Sequence, residues 1–495
     1  MGKVLVVGID GGTMDLVLPW AKEGKLPHIG RLIREGVAGE LKSIIPPLTG
    51  PAWASFMTGV NPGKHGVFDF MKPGLEQIHL IDYRSIRIAT LWEILSRHGV
   101  RLVVIHVPVT YPPPEIDGYL IGGTLSGKGP ISHPPELIGE VEAHLGERYR
   151  TSMPIGPRVG AERDYIEEFS RWHLLIEKTA LYLIERKKWD FFMTVFNITD
   201  GLAHFLWRYM ERGGEFGDGI LQAYSMVDRS IGRLLEHIGR ETTVILMSDH
   251  GFGPLKKNVN LNLYLLKKGF LKFRKRSYPK AALFMAGLTP NRLMGLARKF
   301  KMTERTRSIP IEMRYRILDW FLSFRDIDWE NTLAYSRGHI GQIHINRPAV
   351  ERKGWDFYQF RDRLIGELWE LTDEETGERI VDRILTQEEA YWGEFAGEAP
   401  DLFIIMRNFS YLAYPLLTSD NRIVTDYKVE SRSGTHRMNG MFVGWGPSFP
   451  PRARLEGAKL LDMAPTILDV LGLPIPDYMD GKSLAGRPTP REAEP

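Results

Sequence analysis

The sequence predicts an α/β fold in which a mostly parallel sheet lies between layers of helices. Two observations lead there. Short apolar runs recur along the chain as Val4–Ile9, Leu102–Val107, Tyr119–Ile121, Phe191–Phe196, Thr243–Met247, Leu402–Met406 and Met441–Val443. Amphipathic patterns at helical spacing separate many of them, notably Ile166–Lys187, Leu221–Ile238 and Phe357–Leu371. Buried strands alternating with helices build a parallel sheet covered on both faces. In such sheets ligands bind beyond the carboxyl ends of the strands.

Composition narrows the chemistry. The 495 residues, 43% hydrophobic and 25% charged, supply a large core and length for roughly two to four domains. Lys and Arg number 64 against 61 Asp and Glu, a net charge of +3, so a global polyanion-binding surface is excluded and only local basic patches remain. The chain has no cysteine. Disulfides, thiolate nucleophiles, iron–sulfur clusters and cysteine-bound zinc are thereby excluded, and a metal must be held by His, Asp, Glu or hydroxyl groups. Val4–Ile9 has no cleavage site behind it and reads as a strand rather than a secretion signal. No apolar stretch is long enough to span a membrane, and the expectation is a soluble, cytoplasmic protein.

Taken in chain order, the first residue of chemical interest is Asp10, at the end of Val4–Ile9 and before Gly11-Gly12. Alone it reads as a turn residue. Thr49 follows in Pro46-Pro47-Leu48-Thr49-Gly50-Pro51, where a loop becomes a helix starting near Pro51. Its plain reading is an N-cap, and its functional one a hydroxyl facing a site where the helix N-terminus favours an anion. Asp200 and His204 come after Phe191–Phe196, and the i, i+4 spacing sets both on one face of a helix beginning there. Asp249-His250-Gly251 follows Thr243–Met247, a polar pair at a strand end that packing does not explain. His436 stands in a loop before Met441–Val443. Carboxylates, imidazoles and one hydroxyl, gathered at strand ends, suit a pair of divalent ions, zinc or manganese.

The order and spacing of these segments resemble the alkaline phosphatase superfamily, and within it the type I phosphodiesterase/nucleotide pyrophosphatase branch. The resemblance rests on Asp10, Leu26 to Leu32 with Gly36-Val37, Thr49 through Gly66, Asp200 with His204, Asp249-His250-Gly251, His436, and Asp462 to Thr466. It implies an alkaline-phosphatase-like core and an in-line attack on phosphorus by Thr49 through a phosphothreonine intermediate. Asp200, His204 and His436 would hold one metal, and Asp10, Asp249 and His250 the other, alongside Thr49. Two ions, zinc or manganese, would clamp the entering and leaving oxygens. The backbone N–H of Gly50 is a candidate donor to a phosphoryl oxygen. The implied substrates are phosphodiesters or nucleotide pyrophosphates; a phosphomonoesterase or phosphomutase on the same fold is the alternative.

Departures from the related patterns sharpen this. Sulfatases share the Thr49, Pro51, Thr58, Gly59 spacing but need Cys or Ser at 49 and Arg at 53, where this chain has Thr49 and Trp53. Nucleotide pyrophosphatases carry Asn-His after the proline, where this chain has Ala52-Trp53. Lys64, Arg84 and Arg337 are the candidates to replace that asparagine. His65 is read as a packing or supporting residue, His106 as a satisfied core group, and His339 as a possible substrate contact.

Residues 256–316 hold seventeen Lys or Arg against two acids, Glu304 and Glu312. This is read as the start of an α+β insertion (cap) domain over 256–396, with the catalytic core in 1–255 and 397–495. Leu402–Met406 would resume the core sheet, and the tail after Leu484 would be frayed. The basic stretch is a solvated face, a draw for anionic substrates, or a contact for an acidic membrane surface. A small-molecule phosphate ester is the expected partner and nucleic acid is not expected. A third reading makes the chain a membrane-surface binding protein with an idle metal site.

Overall fold

A computed structural model of the chain describes residues 2–71, 80–124, 127, 129–154, 156–157, 160–289, 292, 322–338, 340–413, 421–426, 432–451, 453–486 and 489–490. The chain divides into two compact units. One comprises Met1–Pro254, Tyr391–Glu398 and Val429–Pro495, the other Leu255–Ala390 and Ala399–Lys428.

The first unit is built on a ten-stranded sheet. Its order is Thr489–Pro490, Ala453–Lys459, Val37–Lys42, Asn439–Trp445, Thr242–Met247, Lys3–Ile9, Phe191–Phe196, Leu102–Ile105, Gly118–Ile121 and Ser132–His133. The run from Thr242–Met247 to Gly118–Ile121 is parallel throughout. Its strands are mostly apolar because both faces are covered. Leu5, Val7 and Ile9 enter one hydrophobic core and Val4 and Val6 the other. Val244 and Leu246 face the first core, Ile245 and Met247 the second. The period of two therefore divides residues between two cores rather than between core and water.

Long amphipathic helices Glu162–Arg186 and Gly219–Leu235 cover one face, burying Phe169, Trp172, Tyr224 and Ile231 in the first core. Thr49–Thr58 and Met463–Val470 lie in the second. The fold class is thus α/β with a mostly parallel sheet between helices. Leu102–Ile105 stops two residues before the apolar run does, because His106 takes the left-handed φ of 63° and turns the chain.

The second unit holds a four-stranded antiparallel sheet in the order Ala334–Ser336, Gln342–Ile345, Leu402–Met406, Val381–Thr386. A three-stranded sheet orders Tyr411–Ala413, Lys257–Val259, Val424–Asp426, and the helices Leu261–Lys267, Tyr278–Met285 and Phe357–Trp369 belong to the same unit. Leu402–Met406, expected to resume the core sheet, is instead an interior strand here. It pairs on both sides with strands of this unit, and Leu402, Ile404 and Met406 enter its core with Phe360 and Leu364. The return to the first unit therefore comes at Val429 rather than near residue 397, apart from the brief Tyr391–Glu398 excursion. The tail is not wholly frayed: Thr489–Pro490 pairs with Ala453 and Arg454. Among the described residues, no helix is long and apolar enough to cross a membrane.

Candidate active site

Three neighbouring parallel strands bring the acidic and imidazole side chains together. Thr242–Met247, Lys3–Ile9 and Phe191–Phe196 lie side by side, and their carboxyl ends lead into Asp249-His250, Asp10 and Asp200. The backbone N–H of Asp10 donates to the Phe196 carbonyl, so the second and third segments stay joined beyond the strands. Ile198–Arg212 starts immediately after Phe191–Phe196 and carries Asp200 and His204 on one face, as their spacing predicts.

His436 arrives from far along the chain. It was expected in a loop but sits on the strand Gly434–Arg437, paired antiparallel with Gly251–Pro254 so that His436 lies opposite Phe252. This two-stranded ribbon stacks the His436 ring on that of His250, centroids 3.6 Å apart.

Thr49 has two readings from sequence, an N-cap of a helix starting near Pro51 and a hydroxyl facing the site. The helix begins at Thr49 itself, with Leu48 in the cap position and no side-chain cap bond. The Thr49 hydroxyl instead lies 3.3 Å from His250 Nε2. Thr49 is only partly buried, whereas all six Asp and His residues around it are buried. Thr49 is thus the least buried residue of the cluster. A Cβ on the adjacent Gly50 would lie 2.7 Å from Ile81 Cδ1, so the end of the Ile81 side chain would have to shift.

The six ligand candidates meet closely. His204 Nε2 is 3.1 Å from His436 Nε2 and 3.4 Å from Asp200 Oδ1, and His436 Nε2 is 3.3 Å from the same oxygen. His250 Nε2 is 3.3 Å from Asp249 Oδ2 and 3.6 Å from Asp10 Oδ1. Two triads, Asp200–His250–His436 and Asp10–Asp249–His250, each place one ligand atom per residue within 4.8 Å of the others.

Hydrogen bonding decides which ring nitrogens face inward. His204 Nδ1 bonds the Gly434 carbonyl at 3.0 Å, His436 Nδ1 the Pro47 carbonyl at 2.8 Å, and His250 Nδ1 the Gly251 carbonyl at 3.1 Å. A carbonyl only accepts, so each Nδ1 carries the proton and each Nε2 turns a lone pair toward the cluster. Two such lone pairs 3.1 Å apart repel unless a cation lies between them. Asp10 Oδ1, Asp200 Oδ1 and Asp249 Oδ2 are buried with no hydrogen-bond partner. Orphaned carboxylate oxygens and inward lone pairs, with no cysteine present, fit divalent cations.

Electrostatics carry the same signature. Burial raises Asp10 well above the ordinary carboxylate value, with the Asp249 and Asp200 charges adding to it. Burial also pushes Asp249 up to about 7. Burial lowers His204 and His250, which keeps their Nε2 lone pairs open. Such concentrations of perturbed groups mark functional sites.

Sequence reasoning missed several supporting groups. Asn197 Nδ2 donates to Asp10 Oδ2, and Thr199 Oγ1 to the Asp10 carbonyl at 2.6 Å. Ser43 Oγ donates to the Asp249 carbonyl at 2.6 Å. Asn197 was discoverable as a polar residue directly after a buried strand. Ser43 had no such signal. His65 is a supporting group, as expected: its Nδ1 accepts from the Val67 N–H at 3.1 Å, so Nε2–H donates to Ser55 of the Thr49 helix at 2.8 Å. His106 bonds the Tyr149 hydroxyl at 2.9 Å inside the core.

The proposed replacements for the absent asparagine fare unevenly. Lys64 Nζ is held by Asp480 at 2.7 Å and by the Tyr478 carbonyl at 2.8 Å. Arg84 pairs with Asp82 at 2.5 Å. Arg337 belongs to the second unit, and His339 lies outside the described residues. Ala52 and Trp53 themselves are fully buried in the core, with Trp53 edge-on to Phe56.

No curated protein gives a match to this chain. The family model for type I phosphodiesterase / nucleotide pyrophosphatase matches residues 4–312, a span that contains Thr49 and every candidate metal ligand except His436. The chain therefore belongs to the type I phosphodiesterase/nucleotide pyrophosphatase family of the alkaline phosphatase superfamily, hydrolases of phosphoric ester bonds that generally use divalent metals.

Proposed function

We propose that the chain cleaves phosphodiester or nucleotide-pyrophosphate bonds with Thr49 as nucleophile, on two divalent cations, zinc in preference to manganese. The observation that carries this reading is the hydroxyl of Thr49, a partly exposed residue at a helix N-terminus, 3.3 Å from His250 Nε2 and in a site with three orphaned buried carboxylate oxygens. Asp200, His204 and His436 would hold one cation and Asp10, Asp249 and His250 the other. Bound there, such cations favour the alkoxide of the nearby alcohol and offset charge on phosphoryl oxygens. Thr49 Oγ1 then attacks phosphorus in line with the departing ester oxygen, and water hydrolyses the resulting phosphothreonine.

The other residues work by holding still. The three Nδ1–H bonds to backbone carbonyls fix ring orientation, and Asn197 and Thr199 fix Asp10. The free N–H groups of the first turn of Thr49–Thr58 favour a phosphoryl group next to Thr49.

The test is hydrolysis of an artificial aryl phosphodiester, expected to stop with chelator and to return with zinc or manganese. Thr49→Ala is expected to lose turnover while titrating the same number of metal ions. Comparable turnover in that variant would remove Thr49 from the mechanism.

A further inference from the structure

The basic stretch of the second unit is not uniform. Three of its early cations are neutralised: Lys257 meets Asp373 and Glu375, both at 2.8 Å, Lys267 meets Glu374 at 3.2 Å, and Lys268 meets Glu367 at 2.7 Å. Lys272, Lys275 and Arg276 are exposed and have no acidic partner among the described residues. They lead directly into the helix Tyr278–Met285.

That helix turns an apolar side outward. Tyr278, Pro279, Ala282, Leu283, Met285 and the capping Ala286 are exposed, while Phe284 is buried. At 100° per residue the six cover an arc of about 160° without a charged side chain. Tyr278 is 57% exposed, Leu283 47% and Met285 46%. A surface helix ordinarily turns charged residues to water. Beside it a cleft of about 370 Å³ is lined by Arg276, Ser277, Lys280, Ser323, Arg325 and Asp326. Asp326 is held within the protein, accepting from Ser277 Oγ at 2.7 Å and from the Ser323 N–H at 2.9 Å.

We propose that this helix and its cationic border are a docking surface for an anionic lipid bilayer. The apolar arc enters the headgroup boundary, and Lys275, Arg276 and the cleft take the lipid phosphates. The charge chooses the occupant. A second copy of the chain would set like charges against one another, and a neutral apolar partner would leave Lys272, Lys275 and Arg276 unanswered. Anionic headgroups above acyl chains answer both features of the surface.

The test is co-sedimentation of the full chain with phosphatidylcholine vesicles with and without phosphatidylglycerol. Binding is expected only to the anionic vesicles and is expected to fall with salt. Lys275→Ala with Arg276→Ala is expected to weaken partition about thirtyfold, roughly fivefold per cation. Leu283→Glu is expected to abolish it. Both variants are expected to hydrolyse a soluble aryl phosphodiester and to melt as the parent does, and the unchanged melting establishes that the second unit is folded. Equal binding to neutral vesicles, no binding at all, or variants that bind like the parent would overturn the proposal. So would a dimer that Leu283→Glu dissociates, or a large loss of thermal stability in that variant, since each places protein on this face.

Discussion

Asp249→Asn separates the charge of the cluster from its shape. In the metal-free chain the Asp249 carboxyl ionises only at about 7, chiefly through burial, against an ordinary value of 3.8. Between those values the folded state holds a proton that the unfolded state has released. Its contribution is therefore complete below 3.8 and is lost as pH rises to 7. Three pH units at about 1.4 kcal/mol each amount to about 4 kcal/mol of destabilisation at pH 8. Asparagine removes that charge, relieves Asp10, and keeps an oxygen for the Gly11 N–H, which Asp249 Oδ1 accepts at 3.3 Å. Without metal the variant is expected to be more stable than the parent, by nothing near pH 4 and by about 4 kcal/mol at pH 8. With metal the order reverses, because the variant has lost a charged ligand and with it part of the stabilisation that binding provides. Urea unfolding in excess chelator and in excess zinc, each across pH 4 to 8, measures both halves. A metal-free variant less stable than the parent at pH 8, or a difference independent of pH, would refute the reasoning.

Asn197→Ala leaves Asp10 without its Nδ2 donor and is expected to weaken metal binding about 10- to 100-fold by calorimetric titration. Gly11→Ala combines a φ of 66° with a Cβ 2.9 Å from Phe252 Cδ2, for a cost of about 2–4 kcal/mol. Gly24→Ala, at φ 76° with nothing within 4 Å, is the control and is expected to cost about 1–2 kcal/mol in the same urea assay. Burial lowers His65, His106 and His173 to about 3, so their contribution is complete above 6.5 and is lost as pH falls toward 3. Stability is expected to decline by about 1.4 kcal/mol per pH unit for each, and substituting His106 by Gln is expected to flatten the slope. Turnover in ¹⁸O-labelled water is expected to label the released phosphate or phosphomonoester; an unlabelled product carrying the phosphoryl group back on substrate would make the chain a mutase.

Much of the site was legible. Asp10, Asp200 and Asp249 stand within four residues of the ends of mostly apolar runs, and in a parallel sheet those ends share one edge. The i, i+4 spacing of Asp200 and His204 carried through to one helical face. Thr49 was read beside its competing role as a cap, and that ambiguity is local by nature. A hydroxyl at a helix start looks alike whether it bonds its own backbone or a histidine 201 residues away. Leu402–Met406 was misassigned for a related reason: an apolar run reports burial but not which core buries it.

The sequence by itself determined the residue types, the periodicities and the cysteine-free donor set, because each depends on near neighbours in the chain. Only the tertiary structure decided that Thr242–Met247, Lys3–Ile9 and Phe191–Phe196 lie side by side, and that a ribbon from residues 434–437 lays His436 on His250. It also decided the tautomers, since the carbonyls of Gly434, Pro47 and Gly251 become acceptors for the three histidines only once the chain is folded. Pairing between distant segments is settled by the total burial and hydrogen bonding of the folded chain, and no short window of sequence contains that sum.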